Sequence, residues 1–240
     1  MVIGCRRRRK RSPALSSAMK RFECRAILFD LDGVLVDSTA YIEEQWRRWA
    51  TAKGLEPEPF LQVCHGRRAV ETIRLAAPDL DAEAEVAAFR PEDISTSLSL
   101  SPMAGAARLL GTLPDESWAV GTSGPRVVAT ARLRQAGLPV PSVLVCAEDV
   151  LHGKPSPDVY LIGAAALAVP PRDCIVIEDA PAGIEAARAA GMGVIAVTTT
   201  HRRSDLDADA CAASLAGIHV GRIDHGARGT RFLELLVVDS

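Results

Sequence analysis

The chain has 240 residues, 48% of them hydrophobic and 4% aromatic, which is ample for a sizeable core. Eight of its 28 Lys and Arg fall in the first 21 residues, which hold no acid, so the remainder sets 20 bases against 30 acids. An acidic, ring-poor body argues against a general nucleic-acid binder or a base-stacking surface, and no apolar run approaches the roughly 18 residues of a membrane helix.

The chain opens on a basic run, Arg6-Arg7-Arg8-Arg9-Lys10-Arg11, followed by Ser12-Pro13-Ala14-Leu15-Ser16-Ser17 instead of the apolar stretch of a secretory signal. Residues 1–22 read as a disordered basic tail with no part in the chemistry. The alternatives are a nucleic-acid or membrane-surface arm, an organelle transit peptide, or upstream sequence ahead of a start at Met19. Six cysteines, at 5, 24, 64, 146, 174 and 211, form no C-x-x-C pair. That suits reduced, buried thiols in a cytoplasmic protein better than a zinc site or a disulfide framework.

Ala26-Ile27-Leu28-Phe29 reads as a buried strand that ends in Asp30-Leu31-Asp32-Gly33. A strand repeats every two residues, so Asp30 and Asp32 project the same way at its C-terminal end. An ordinary Asp-Gly turn is the plain alternative for this fragment taken alone. Residues 38–53 carry helical spacing in Tyr41, Ile42, Trp46, Trp49 and Ala50, with Ser38 as a cap. Helical character continues to about residue 88 without a strand-like run, so residues 38–99 form a helical cap inserted after the first strand. Within it, His65-Gly66-Arg67-Arg68 offers a tight turn and two guanidiniums for an anionic or hydroxylated ligand; a solvated loop is the alternative.

From residue 100 strands and helices alternate. Residues 103–113 read as a helix and 118–122 as a strand ending in Thr122-Ser123-Gly124; a helix over 126–136 and a strand over 143–146 follow. The loop Gly153-Lys154-Pro155-Ser156-Pro157-Asp158 then opens a helix over 158–168, and a strand over 174–177 ends in Glu178-Asp179. A helix over 182–190 and a strand over 194–197 close the pattern. Continuous apolar strands suit a parallel sheet buried on both faces. The fold class is therefore α/β, a doubly wound, Rossmann-like parallel sheet over residues 23–37 and 100–240 with the inserted α-helical cap. Residues 199–223 show no clear element beyond a short edge strand at 218–220, and 233–238 read as a further strand or a C-terminal extension.

Ligands bind parallel sheets at the C-terminal edge of the strands. That edge collects Asp30 and Asp32, Thr122 and Ser123, Lys154, and Glu178 and Asp179. Hard carboxylate oxygens point to Mg²⁺. A hydroxyl and amides ahead of a helix grip an oxyanion, and an ammonium offsets its charge. Singly, each residue has a plain alternative: a helix cap for Thr122, a surface charge for Lys154, a solvated turn for Glu178-Asp179.

Together the four segments Asp30-Leu31-Asp32-Gly33-Val34-Leu35-Val36-Asp37-Ser38, Thr122-Ser123-Gly124, Gly153-Lys154-Pro155-Ser156-Pro157-Asp158 and Glu178-Asp179-Ala180-Pro181-Ala182-Gly183 resemble the four motifs of the haloacid dehalogenase superfamily. The helical insert, His65-Gly66-Arg67-Arg68 and the Ala180-Pro181-Ala182-Gly183 run look most like its sugar phosphatase and β-phosphoglucomutase-like members. The resemblance implies that Asp30 is the nucleophile and forms an aspartyl-phosphate. Asp32 then protonates the leaving alcohol and deprotonates the attacking water. Thr122 and the Ser123 amide hold phosphoryl oxygens, Lys154 holds the phosphate and orients Asp30, and His65, Gly66, Arg67 and Arg68 meet the substrate. It also implies Mg²⁺ on Asp30, the Asp32 carbonyl and Asp179, with Glu178 at or beside the metal. Some members carry another acid where Gly183 stands, which leaves the duty of Glu178 open. An acid at position 32 favours phosphoryl chemistry over dehalogenation, which has no alcohol to protonate. The expected function is a Mg²⁺-dependent phosphatase for a small phosphorylated sugar or polyol, as a monomer or weak dimer with no nucleic-acid or membrane partner. A phosphosugar mutase, and more remotely a non-catalytic binding protein, are the alternatives.

Overall fold

The computed structural model describes residues 19–88, 100–225 and 231–239; the basic run at 6–11 lies outside them. The chain enters through β1 (Met19–Cys24) and β2 (Ala26–Phe29), and leaves the core through the short β3 (Val36–Asp37). Four helices follow, α1 (Thr39–Ala52), α2 (Glu58–Leu61), α3 (Ala69–Ala76) and α4 (Ala82–Ala88), and β4 (Ser101–Pro102) pairs antiparallel with β3 on the return. The remainder alternates: α5 (Ala106–Leu110), β5 (Trp118–Gly121), α6 (Arg126–Gln135), β6 (Leu144–Val145), α7 (Asp158–Ala166), β7 (Cys174–Glu178), α8 (Pro181–Ala189) and β8 (Gly193–Val197). β9 (Ala210–Ala212), β10 (Ile218–His225) and β11 (Arg231–Val238) complete it.

Six strands form one parallel sheet in the order β6-β5-β2-β7-β8-β9. Because side chains alternate across a strand, each central strand feeds two cores. Ile27, Phe29, Ile175, Ile177, Ile195 and Val197 face one side, packed with Leu109 and Leu133 of α5 and α6. Ala26, Leu28, Val176, Val194 and Ala196 face the other, packed with Tyr160, Ala164, Ile184 and Ala187 of α7 and α8. This double burial is why the strands read as unbroken apolar runs rather than as alternating ones.

The helical insert has its own small core. Trp46 stacks on Phe60 at 5.6 Å, Trp49 stands edge-on to Phe60 at 5.2 Å, and Ile73 and Cys64 fill in around them. A compact insert on a two-strand stem places a helical layer above the sheet's C-terminal edge. Among the described residues no helix is long and apolar enough to cross a membrane.

Several elements depart from the sequence reading. Residues 19–22, assigned to the tail, belong to β1, which pairs antiparallel with β11 from Met19↔Val238 to Cys24↔Leu233. β10 pairs with the other side of β11, giving a three-stranded antiparallel sheet. Its Leu233, Leu235 and Val237 join the α5–α6 side of the core. The segment at 233–238 is thus the middle strand of a second sheet, and the short edge strand at 218–220 is the start of an eight-residue one. β9 is a sixth strand of the main sheet where no element was read, since three small residues carry no periodicity. Ser38 precedes α1 but its hydroxyl does not cap the helix; it donates instead to Asp32 Oδ1 at 2.5 Å.

Candidate active site

The C-terminal ends of β2, β5 and β7 stand side by side, because β2 lies between β5 and β7 in the sheet. Asp30 follows β2, is buried, and its backbone N–H donates to Ile177 O at 3.0 Å, which locks it against the end of β7. Thr122 follows β5; its N–H donates to Val145 O at 2.9 Å and its hydroxyl accepts from the Gly124 N–H at 3.1 Å. Glu178 ends β7 and Asp179 follows, both buried. Lys154 reaches in from the loop before α7. Its ammonium donates to Asp30 Oδ1 and to Glu178 Oε1, the latter at 2.7 Å, and sits 5.0 Å from the centre of the Tyr160 ring.

Two buried carboxylates therefore hold one buried ammonium, and a third, Asp179, lies beside them. Ligand oxygens of Asp30, Glu178 and Asp179 lie within 4.8 Å of one another. Burial pushes the Asp30 carboxyl up to about 7, against the attraction of Lys154 and with the repulsion of Glu178 and Asp32. Burial also raises Asp179 well above the usual carboxylate range, aided by Glu178 and Asp30. For Glu178 burial acts in the same direction, but Lys154 and its hydrogen bonds outweigh it and hold the group below its ordinary value. The ammonium is held well above its usual value, because the two carboxylates overcome its own burial. A buried cluster with more carboxylates than cations has the chemistry of a hard divalent-cation site. The donor set fits Mg²⁺.

Glu178 has a more specific place than its class suggests. Its Oε1 accepts from Lys154 and from the Tyr160 hydroxyl at 2.8 Å, and its Oε2 from the N–H groups of Asp179 and Ala180 at 2.8 and 3.0 Å. Four donors use the four acceptor positions of a carboxylate. A Cβ added to Gly183 would fall 1.6 Å from Glu178 Oε1, so the carboxylate fills the space that a side chain at position 183 would need. Glu178 thus anchors Lys154, while Asp30 accepts from the same ammonium through Oδ1 and Asp179 accepts from the Thr200 hydroxyl through Oδ2.

Above the cluster lies a cavity of about 310 Å³ between sheet edge and insert. Asp30, Asp32, Thr122 and Ser123 form its floor, and Tyr41, Trp46, His65, Gly66 and Arg67 stand over it. The Ser123 hydroxyl donates to Gly66 O at 2.9 Å, tying floor to roof. Arg68, expected to meet the ligand, does not line this space. It forms an ion pair with Glu71 and donates to Val150 O and Leu151 O, both at 3.3 Å, while the Gly153 N–H donates to Glu71 Oε1 at 3.2 Å. The second guanidinium of the His65-Gly66-Arg67-Arg68 turn therefore fastens the insert to the loop that carries Lys154. His65 contacts Glu43 Oε1 at 3.4 Å and stands edge-on to His201 at 6.1 Å.

Sequence reasoning missed Tyr160, Arg132, Thr200 and His201. Thr200 donates to Asp179 Oδ2 at 2.7 Å, beside His201. That pair was within reach, since Thr198-Thr199-Thr200-His201 is a polar run at the C-terminal end of β8, on the same ligand-binding edge. Tyr160 and Arg132 lie inside helices, where no local pattern separates a site residue from a packing or surface one.

Comparison with known proteins gives the family. Residues 24–191 match the family described as haloacid dehalogenase-like hydrolase. The chain is 42% identical over 192 residues to hexitol phosphatase A of Escherichia coli, covering 77% of this chain and 89% of that one. It is 37% identical over 194 residues to glycerol-1-phosphate phosphohydrolase 2 of Saccharomyces cerevisiae, covering 76% of each. Among solved structures, a putative β-phosphoglucomutase from Bacteroides vulgatus superposes with a TM-score of 0.68 at 27% identity, over 80% of this chain and 85% of that one. With its parallel sheet, its helical insert and its four converging strand-end motifs, the chain belongs to the haloacid dehalogenase-like hydrolases, in their sugar phosphatase and β-phosphoglucomutase-like branch.

Proposed function

We propose that this protein is a Mg²⁺-dependent phosphatase for a small phosphorylated polyol or sugar, working through an aspartyl-phosphate on Asp30. The observation that carries the reading is the buried Asp30–Lys154–Glu178–Asp179 cluster, whose Asp30 lines the floor of a cavity together with Asp32, Thr122 and Ser123. Relatives named as hexitol and glycerol-1-phosphate phosphatases support the substrate class. A cavity of about 310 Å³ suits a ligand of sugar-phosphate size.

In the first step Asp30 attacks phosphorus while the bond to the alcohol oxygen breaks, and Asp32 gives that oxygen its proton. In the second, water attacks the aspartyl-phosphate, Asp32 takes the proton, and inorganic phosphate leaves with Asp30 restored. Thr122 and the Ser123 amide hold the equatorial oxygens, and Lys154 offsets their charge. His65, Gly66 and Arg67 face the polyol from above. Asp30, Asp179 and the Asp32 carbonyl would hold Mg²⁺, which would supply charge neutralisation and orientation of the phosphoryl group.

A panel of hexitol, glycerol and hexose phosphates tests this: phosphate release that requires Mg²⁺ and is abolished by chelator is the expected result. Release that is indifferent to chelator, or absent across the panel, overturns it. The structural likeness to a putative β-phosphoglucomutase keeps a mutase in view; β-glucose 1-phosphate should yield free phosphate, whereas accumulation of the 6-phosphate would favour the mutase.

Gly33 provides a second test. Its φ is +83°, and an added Cβ would fall 2.2 Å from Asp179 Oδ2. Gly33→Ala therefore strains the turn by about 1–2 kcal/mol and pushes a carboxylate out of the cluster. The Mg²⁺ concentration for half-maximal activity should rise about 10- to 100-fold, read from a metal titration. An unchanged titration would remove Asp179 from the cation site.

A further inference from the structure

Asp32 has a partner that the four motifs do not contain. Arg132 lies in α6, about two helical turns beyond Thr122-Ser123-Gly124, and its Nη1 donates to Asp32 Oδ1 at 2.6 Å. The Ser38 hydroxyl donates to the same oxygen at 2.5 Å. The Arg132 guanidinium lies over the Tyr41 ring of α1, 5.7 Å from its centre. It is largely buried, lines the cavity, and its Nε has no hydrogen-bond partner among the described residues. Asp32 and an aromatic face hold this cation in place, without a full set of acceptors.

We propose that Arg132 is the positioning residue for Asp32, fixing the rotation from which that carboxyl exchanges its proton with the leaving alcohol and then with water. The inference rests on the phosphatase reading above. Two donors converge on Oδ1, which makes it the accepting oxygen in either protonation state. The proton that Asp32 delivers then sits on Oδ2, the oxygen that neither donor reaches. Without Arg132 only the Ser38 hydroxyl steers the group, and the carboxyl can turn about its Cβ–Cγ bond. Proton transfer is sensitive to such a turn, because general acid catalysis needs the proton within hydrogen-bond reach of the leaving oxygen. Arg132 also joins three parts of the chain, the β2 turn, α1 and α6. A purely structural bridge is therefore the competing account, and the test separates the two.

The test compares leaving groups. An alkyl leaving group such as a hexitol needs a proton as the P–O bond breaks; p-nitrophenolate does not. In both cases kcat/KM covers only the steps through aspartyl-phosphate formation, so the shared second step drops out. Arg132→Met should lower kcat/KM for a hexitol monophosphate about 10- to 100-fold, and at least tenfold more than for p-nitrophenyl phosphate. The loss should lie mainly in kcat. Arg132→Lys, which restores a cationic donor, should recover part of the hexitol activity; it also carries the comparison should the Met variant fail to fold. Equal losses on both substrates would overturn the positioning role and leave a structural bridge. A native enzyme that turns over neither substrate would refute the phosphatase reading itself, which is a different outcome.

Discussion

Replacing Asp30 with asparagine should lower kcat/KM for every phosphate monoester by at least about 10³-fold, with no loss of stability. The amide keeps the shape of the carboxyl and can still accept from Lys154, which bonds Oδ1. It cannot form the covalent intermediate. Stability should hold because Asp30 is an uneasy anion: burial, Glu178 and Asp32 all push its carboxyl up, to about 7, and Lys154 only partly opposes them. Neutralising one member of a crowded acid cluster relieves repulsion. Phosphate release and a thermal melt on the same sample check both halves. An Asp30→Asn protein that retains activity, or that traps phosphate on the chain after acid quench, would remove Asp30 as the nucleophile.

The second large effect is on stability. Lys154 is 1% exposed and its ammonium pairs with Asp30 and Glu178 at once. Lys154→Met fills nearly the same volume without the charge, so packing changes little. What remains is Asp30 and Glu178, buried beside Asp179, without the ammonium that paired with both. Breaking a buried pair in this way costs about 3–5 kcal/mol. In a chain of this size that corresponds to a Tm lower by about 6–20 °C. Activity should also be lost, since the phosphoryl charge loses its ammonium. Adding Glu178→Gln to the Met variant should recover part of the Tm, because one stranded anion is gone. Melting of the Met variant within a degree or two of the native protein would show that the cluster does not depend on this cation.

Both predictions rest on residues that could be named from the sequence, and the physical reason is general. A parallel strand buried on both faces must be a continuous apolar run, so Ala26–Phe29, Trp118–Gly121 and Cys174–Glu178 announce themselves. Once a run is known to be a strand in such a sheet, the polar residues that end it are placed at the ligand-binding edge by topology alone. Asp30, Thr122, Glu178 and Asp179 follow in that way, and Lys154 follows from its loop opening the next helix. The second sheet was not legible for the complementary reason. β1 and β11 each bury only one face, β1 mixes apolar with charged residues, and the two find each other from opposite ends of the chain, Lys20 beside Val237.

What the chain order determined, then, is the kind of fold, the helical insert and the identity of the groups at the sheet edge, because strand burial and connection rules act locally or between neighbouring elements. What only the tertiary structure decided is how those groups divide the work. Glu178 is saturated by Lys154, Tyr160 and two amides, Arg68 is drawn away to Glu71 and the Val150 and Leu151 carbonyls, and Arg132 is brought to Asp32 across 100 residues of chain. Each of these depends on which side chains the packing brings within 3 Å or so, and hydrogen bonds of that reach leave no trace in residue spacing.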